Sequence, residues 1–252
     1  MPRVPVSELP RLGAPLLFAA AILVSFGLRT APPSVAPVVL APGEPPAPSA
    51  AAVREYFASA LARGAPGVDL GPTNAPVTVL EFSDFGCPYS GRFATQTYPS
   101  LAREFVRTGK VRWKYVPFAM GMFTNGAAAA RAGTCAAEQG TAAFSAMHDA
   151  LFGSQRAWEA AADPAALFRS YATAAGLDGR RFAACFAADS TGGRIRAANE
   201  LADHLGVAAT PTFFVNGTRV EGALPLAEFR AVLQDALHRA AAQPEIRGGS
   251  EL

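Results

Sequence analysis

Cys87 is the residue of this chain best placed to do chemistry, because of its setting in Glu81-Phe82-Ser83-Asp84-Phe85-Gly86-Cys87-Pro88-Tyr89-Ser90. The apolar run from Val77 to Phe82 reads as a buried parallel strand, and Pro88 suits the first position of a helix, where a missing N–H is no loss. A strand, a short turn and a helix start put Cys87 at a helix N-terminus. The unpaired N–H groups and the positive end of the helix dipole favour a thiolate there, and the thiolate is the form that attacks disulfides. In a Cys-x-x-Cys motif a second thiol one turn along resolves the mixed disulfide. This chain has Ser90 at that place. A hydroxyl can hydrogen-bond a thiolate but cannot form a disulfide with it. Ser90 therefore means loss of redox function, or a monothiol site that waits for an outside thiol, or a substitution introduced to trap mixed disulfides. The plain alternative for Cys87, a buried and inert cysteine, is disfavoured by the strand-to-helix setting.

Three further stretches join this one: Gly71-Pro72-Thr73-Asn74-Ala75-Pro76 ahead of the strand, Cys135-Ala136-Ala137-Glu138-Gln139-Gly140 with Met147-His148-Asp149-Ala150-Leu151-Phe152, and Gly206-Val207-Ala208-Ala209-Thr210-Pro211-Thr212-Phe213-Phe214-Val215-Asn216-Gly217. Together they resemble the DsbA-like thioredoxin-fold proteins of bacteria, over residues 65–240. The resemblance implies an α/β thioredoxin fold with an inserted helical subdomain, and it implies that Pro211 is cis and faces Cys87. The backbone of Thr210 would then pair with an extended substrate strand, with Pro88 and Tyr89 beside it. Glu81 matches the family's buried acid, which moves protons at the resolving thiol, a task partly obsolete with Ser90 in place. A carboxylate in an apolar strand is expensive unless paired or used. Lys114 either neutralises Glu81 or lies at an edge open to water. Cys135 and Cys185 correspond to a structural disulfide of related proteins; the rival reading is that one of them resolves Cys87.

The elements that must position these residues follow in order. Residues 12–28 are an apolar run between Arg11 and Arg29, at the short end of what spans a bilayer. Ser34-Val35-Ala36, with Pro37 next, is a poor cleavage site, so residues 1–30 read as a retained single-pass signal anchor. Arg3, Arg11 and the N-terminal amine, against Glu8 and Arg29, give a modest bias toward a domain outside the cytoplasm. Residues 31–50 are mostly Pro and Ala, an extended spacer that buries no core. A helix is expected over 51–64, either packed on the domain or extending the stalk. The thioredoxin-like domain is expected over 65–243. Within it come the strand at 77–82, a helix from Pro88 to about Thr108 kinked at Pro99, and a strand at 111–116. The insertion spans 124–205, with breaks at Pro164, Gly176 and Gly192-Gly193. A hairpin turning at Asn216-Gly217, a closing helix over 226–241 and a loose tail over 244–252 complete the chain.

Composition bounds the rest. With 252 residues, 50% hydrophobic and 17% charged, the chain can bury one sizeable core. A net charge of +2 with scattered basic residues gives no case for nucleic acid. Three cysteines suit an oxidising compartment in which two pair and one stays free. His148, His204 and His238 are isolated, no cysteine pair has zinc spacing, and the glycines near 126–130 form no phosphate-binding pattern. No metal or cofactor is implied. The expected protein is a membrane-anchored thiol-disulfide exchange enzyme on the periplasmic side, acting on cysteine-containing exported proteins or small-molecule thiols. The alternative is a redox-inactive thioredoxin-fold module that binds unfolded chains.

Overall fold

The computed structural model describes residues 48–188 and 191–242. The expected anchor at 1–30, nearly all of the 31–50 spacer and the 244–252 tail lie outside the described residues. Among the described residues no helix is long and apolar enough to cross a membrane.

A five-stranded sheet carries the site, in the order β1 (Val68–Asp69), β3 (Val111–Pro117), β2 (Val77–Ser83), β4 (Thr212–Val215) and β5 (Thr218–Glu221). The β2–β3 pair is parallel, with Val77 opposite Val111 and Ser83 opposite Pro117, and the other pairs are antiparallel. β2 and β3 are buried along most of their length, as strands covered on both faces must be. β1, two residues long, carries too little periodicity to be read from sequence.

The pleat sends alternate residues to opposite faces. Val77, Val79, Trp113 and Phe213 pack with Phe93, Leu101 and Phe105 of the following helical run and with Phe229 and Leu233 of the closing helix α10 (Leu226–Ala242). Leu80, Phe82, Val116 and Phe214 face the other way. There they meet Val53, Phe57 and Ala60 of α1 (Ala50–Ala62) and Leu201 of α9 (Gly192–His204). The first helix therefore packs on the domain and does not extend a stalk.

The helical run over 88–106 comprises α2 (Pro88–Arg92), a π segment (Phe93–Thr97), α3 (Tyr98–Leu101) and a second π segment (Ala102–Val106). Pro99 does not end it. A proline has no N–H and collides with the carbonyl four residues back, so the chain widens locally. The Tyr98 N–H donates to the Phe93 carbonyl, five residues earlier; the Arg107 N–H donates likewise to Ala102, in the second π segment, which begins beyond the reach of Pro99.

The insertion comprises α4 (Gly126–Ala137), α5 (Thr141–Gly153), α6 (Gln155–Glu159), α7 (Ala165–Ala174) and α8 (Gly179–Ala188), followed by α9. Phe144, Met147, Leu151, Trp158, Phe168 and Phe182 form its core, which continues into Phe85 and Tyr115 of the sheet side. Cys135 on α4 and Cys185 on α8 are joined in a disulfide, with Cα atoms 5.8 Å apart. The β4–β5 hairpin turns at Asn216 (φ 46°) and Gly217 (φ 80°), the paired left-handed residues of a two-residue turn.

Candidate active site

β2 ends at Ser83, and Asp84-Phe85-Gly86 turns the chain into α2 with Cys87 as the residue before the helix. Cys87 has extended backbone angles (φ −77°, ψ 122°), and Pro88 occupies the first helical position, as read from the sequence. Its N–H donates to the Asp84 carbonyl at 3.0 Å, and its carbonyl accepts from the Gly91 N–H at 3.0 Å. The turn is held from two sides. Asp84, buried, accepts from the Gly86 N–H at 2.8 Å and from the Met120 N–H at 2.7 Å. Burial raises the pKa of this carboxyl, and the two backbone hydrogen bonds oppose that rise. Gln155 of α6 donates through Nε2 to the carbonyls of Phe85 (2.7 Å) and Cys87 (3.0 Å).

The Thr210-Pro211 peptide bond is cis, and the Cys87 thiol donates to the Thr210 carbonyl at 3.2 Å. Strand β4 lies beside β2 and brings these two distant segments together. Cys87 is only 4% exposed, so an incoming partner has a narrow line of approach. Ser90 is fully buried on α2, and its Oγ has no hydrogen-bond partner among the described residues. The Ser90-to-Cys87 hydrogen bond that helix spacing allows is not made, because the thiol turns toward Thr210. Tyr89 is 56% exposed under the Arg92 guanidinium, whose carbon lies 5.1 Å from the ring centroid. On the other side runs the 120–123 loop. Met120 Sδ accepts from Thr210 Oγ1 at 3.6 Å, Phe123 packs on Gly86, and Met122 is 69% exposed.

Below the turn, Glu81 is 2% exposed and accepts from Ser83 Oγ and Trp113 Nε1, each at 2.7 Å. Burial raises its pKa, against the neighbouring His148 and the hydrogen bonds from Ser83 and Trp113. Lys114 is neither the neutralising partner of Glu81 nor open to water. It is one residue out of step with Trp113 along β3, so the pleat turns it to the opposite face. There it lies buried with Nζ 3.0 Å from Asp69 Oδ2, beside the Asp69–Arg112 pair at 2.7 Å. Burial works against ionisation of Asp69, and the hydrogen bonds from Arg112 and Lys114 outweigh it, holding its carboxyl below the usual range.

His148 is buried among Phe85, Tyr98, Tyr115, Phe144 and Phe152, with ring centroids 4.9–6.0 Å away. The hydroxyls of Tyr98 and Tyr115 stay neutral, because burial and the nearby Glu81 charge both raise their pKa. Cys135 and Cys185 are bonded to each other in the insertion, which removes the reading in which either resolves Cys87. Among the described residues no cluster of three or more His, Cys, Asp or Glu is placed to hold a metal. Asp84, Trp113, His148 and Gln155 escape a reading of the sequence alone. Asp84 lies within the cysteine motif and gives a faint signal as an acid in an apolar turn, but Gln155 gives none.

Residues 65–235 match the family model described as Thioredoxin. A protein named Na(+)/H(+) antiporter NhaA 3 from Salinispora tropica is 39% identical over 183 residues, which is 72% of this chain and 26% of that protein. The chain thus spans about a quarter of the length of the curated relatives it matches first. Among solved structures, oxidised BdbD from Bacillus subtilis superposes with a TM-score of 0.63 at 23% identity, covering 69% of this chain and 97% of that one. α-DsbA1 from Wolbachia pipientis gives 0.60 at 23% identity, covering 70% and 93%. The strand–turn–Cys87 unit, the cis-proline opposite it and the helical insertion on one sheet place the chain in the thioredoxin family, with the DsbA-like form of the fold.

Proposed function

We propose that this protein is a thiol-disulfide exchange enzyme of monothiol type. The observation that carries the reading is Cys87 at a helix start, 3.2 Å from the Thr210 carbonyl before cis-Pro211, with a hydroxyl at Ser90 where a resolving thiol would stand. The Cys87 thiolate attacks a disulfide R–S–S–R′, forming Cys87–S–S–R and releasing R′–S⁻. A second thiolate, from the substrate or a small-molecule thiol, then attacks the sulfur of R. It forms a new disulfide with R, and Cys87 leaves as thiolate. Net oxidation of a dithiol needs a disulfide that Cys87 and Ser90 cannot hold. Once Cys87 gives up its proton the Thr210 carbonyl loses its donor and is open to an N–H of an extended substrate. The unpartnered Ser90 hydroxyl is then available to the thiolate. The exposed Tyr89 and Met122 border this approach with apolar surface.

The apolar run at 12–28 between Arg11 and Arg29, and the Pro/Ala spacer after it, support a single-pass anchor holding the domain outside the cytoplasm. The substrates are then cysteine-containing exported proteins or small-molecule thiols. The test is to mix the purified protein with a peptide disulfide and follow Cys87 by mass spectrometry, beside Ser90→Cys. The parent should hold a long-lived adduct that an added thiol releases, whereas Ser90→Cys should close its own disulfide and oxidise a reduced peptide, because an intramolecular thiol has a high effective concentration. If Ser90→Cys is inactive and Cys87 resists alkylation near neutral pH, the binding-module reading replaces this one.

A further inference from the structure

We infer that Gln155, on the helical insertion, is a positioning residue that holds the Cys87 turn in its reactive form by bridging the Phe85 and Cys87 carbonyls. The inference rests on the exchange reading above. The carbonyl oxygens of Phe85 and Cys87 are the negative ends of peptide dipoles, and both lie within the turn that carries the thiol. The two hydrogens of Gln155 Nε2 are directed at these two oxygens, at 2.7 and 3.0 Å. The amide thus puts partial positive charge between two groups that would otherwise oppose a thiolate at Cys87. The same bridge fixes the extended backbone of Cys87, which sets where its sulfur points.

The third side of the amide is also used. A Cβ built on Gly91 would fall 2.8 Å from Gln155 Oε1, so the glycine one turn after Cys87 leaves room for this side chain. Gln155 begins α6, and Trp158 of the same helix is buried in the insertion core, so the amide ties the orientation of the insertion to the thiol. The titratable and charged groups around the turn are Asp84 within it, Glu81 on β2 below it, Tyr89 and Arg92 on α2, Tyr115 on β3, His148 on α5, and Arg156 and Glu159 on α6. Substitution at 155 or 91 removes none of them.

The test follows the rate of Cys87 alkylation against pH in the parent, in Gln155→Met, which keeps the length and removes both donors, and in Gln155→Glu, which turns a carboxylate toward the two carbonyls. We expect the alkylation midpoint to move to higher pH in both, with the neutral-pH rate about threefold to tenfold lower in Gln155→Met and lower still in Gln155→Glu. A merely structural amide would lower the melting temperature and leave the midpoint in place. Gly91→Ala provides a second route if the 155 variants fold poorly. It displaces the amide through contact with Oε1 while adding a better helix former, and should move the midpoint in the same direction. Midpoints equal to the parent's in all folded variants overturn the role of Gln155 and leave the exchange reading standing. A parent Cys87 that does not react at all overturns both, since no thiolate is then present for Gln155 to favour.

Discussion

Replacing Glu81 by Gln should stabilise the protein at neutral and alkaline pH and leave its stability almost unchanged in acid. Gln has the same shape. Its amide oxygen can accept from Trp113 Nε1 and its amide nitrogen can donate to Ser83 Oγ, so both hydrogen bonds have a counterpart. The difference is charge. Burial raises the pKa of Glu81 above its ordinary value of 4.5, so the native protein holds this proton after the unfolded chain has released it. Where the native state binds more protons, stability falls as pH rises, by up to about 1.4 kcal/mol per pH unit for one group. The contribution of Glu81 is thus fully present below pH 4.5 and is lost as pH climbs through the raised native value. The glutamine of the variant has no proton to lose. The gap between the two proteins should therefore open above the ordinary carboxylate range and level off once native Glu81 ionises. Urea denaturation of both proteins at steps between about pH 4 and pH 9 reads the gap directly, and their common background cancels. A constant gap across this range would show that folding leaves the Glu81 proton equilibrium unshifted, and a Gln variant that becomes the weaker one as pH rises would show that Glu81 enters the fold as an anion. The reasoning from burial would then be wrong.

Three further outcomes are expected. Removing the Cys135–Cys185 link by double substitution to Ala frees a loop with a sequence separation of 50, for which the chain-entropy relation gives about 4 kcal/mol at 25 °C; a loss under ~1 kcal/mol in denaturant melts would deny the disulfide a structural role. Ser90→Ala deletes a buried hydroxyl without a partner and should stabilise the fold by roughly 1 kcal/mol, and a destabilised variant would mean that the hydroxyl is bonded in solution. Gly86→Ala puts a Cβ 2.3 Å from Phe123 Cβ, so the 120–123 loop must move; a loss of about 1–3 kcal/mol with slower Cys87 alkylation is expected, and an unchanged rate would show that this loop does not set the turn.

Local chemistry made much of this protein legible before folding. Periodicity and Pro88 placed Cys87 at the head of a helix, Asn216-Gly217 announced the hairpin, and the stretches at 71–90, 135–152 and 206–217 carried the resemblance to the thioredoxin fold, because each depends on a few consecutive residues. Lys114 shows where such reasoning ends. From sequence its charge can be matched to Glu81, but a strand has two faces, and the pairing of β1 with β3 supplies Asp69 on the face that Lys114 occupies. His148 looked isolated along the chain and lies among aromatic rings from α3, β3 and the turn at Phe85. Gln155 is 68 residues from Cys87, and nothing in its own neighbourhood marks it. What fixes it on the Phe85 and Cys87 carbonyls is the packing of the insertion against the sheet, a sum of many long-range apolar contacts that no local pattern encodes. The sequence by itself determined which cysteine stands at the head of a helix, and the tertiary structure decided which groups hold that residue in place.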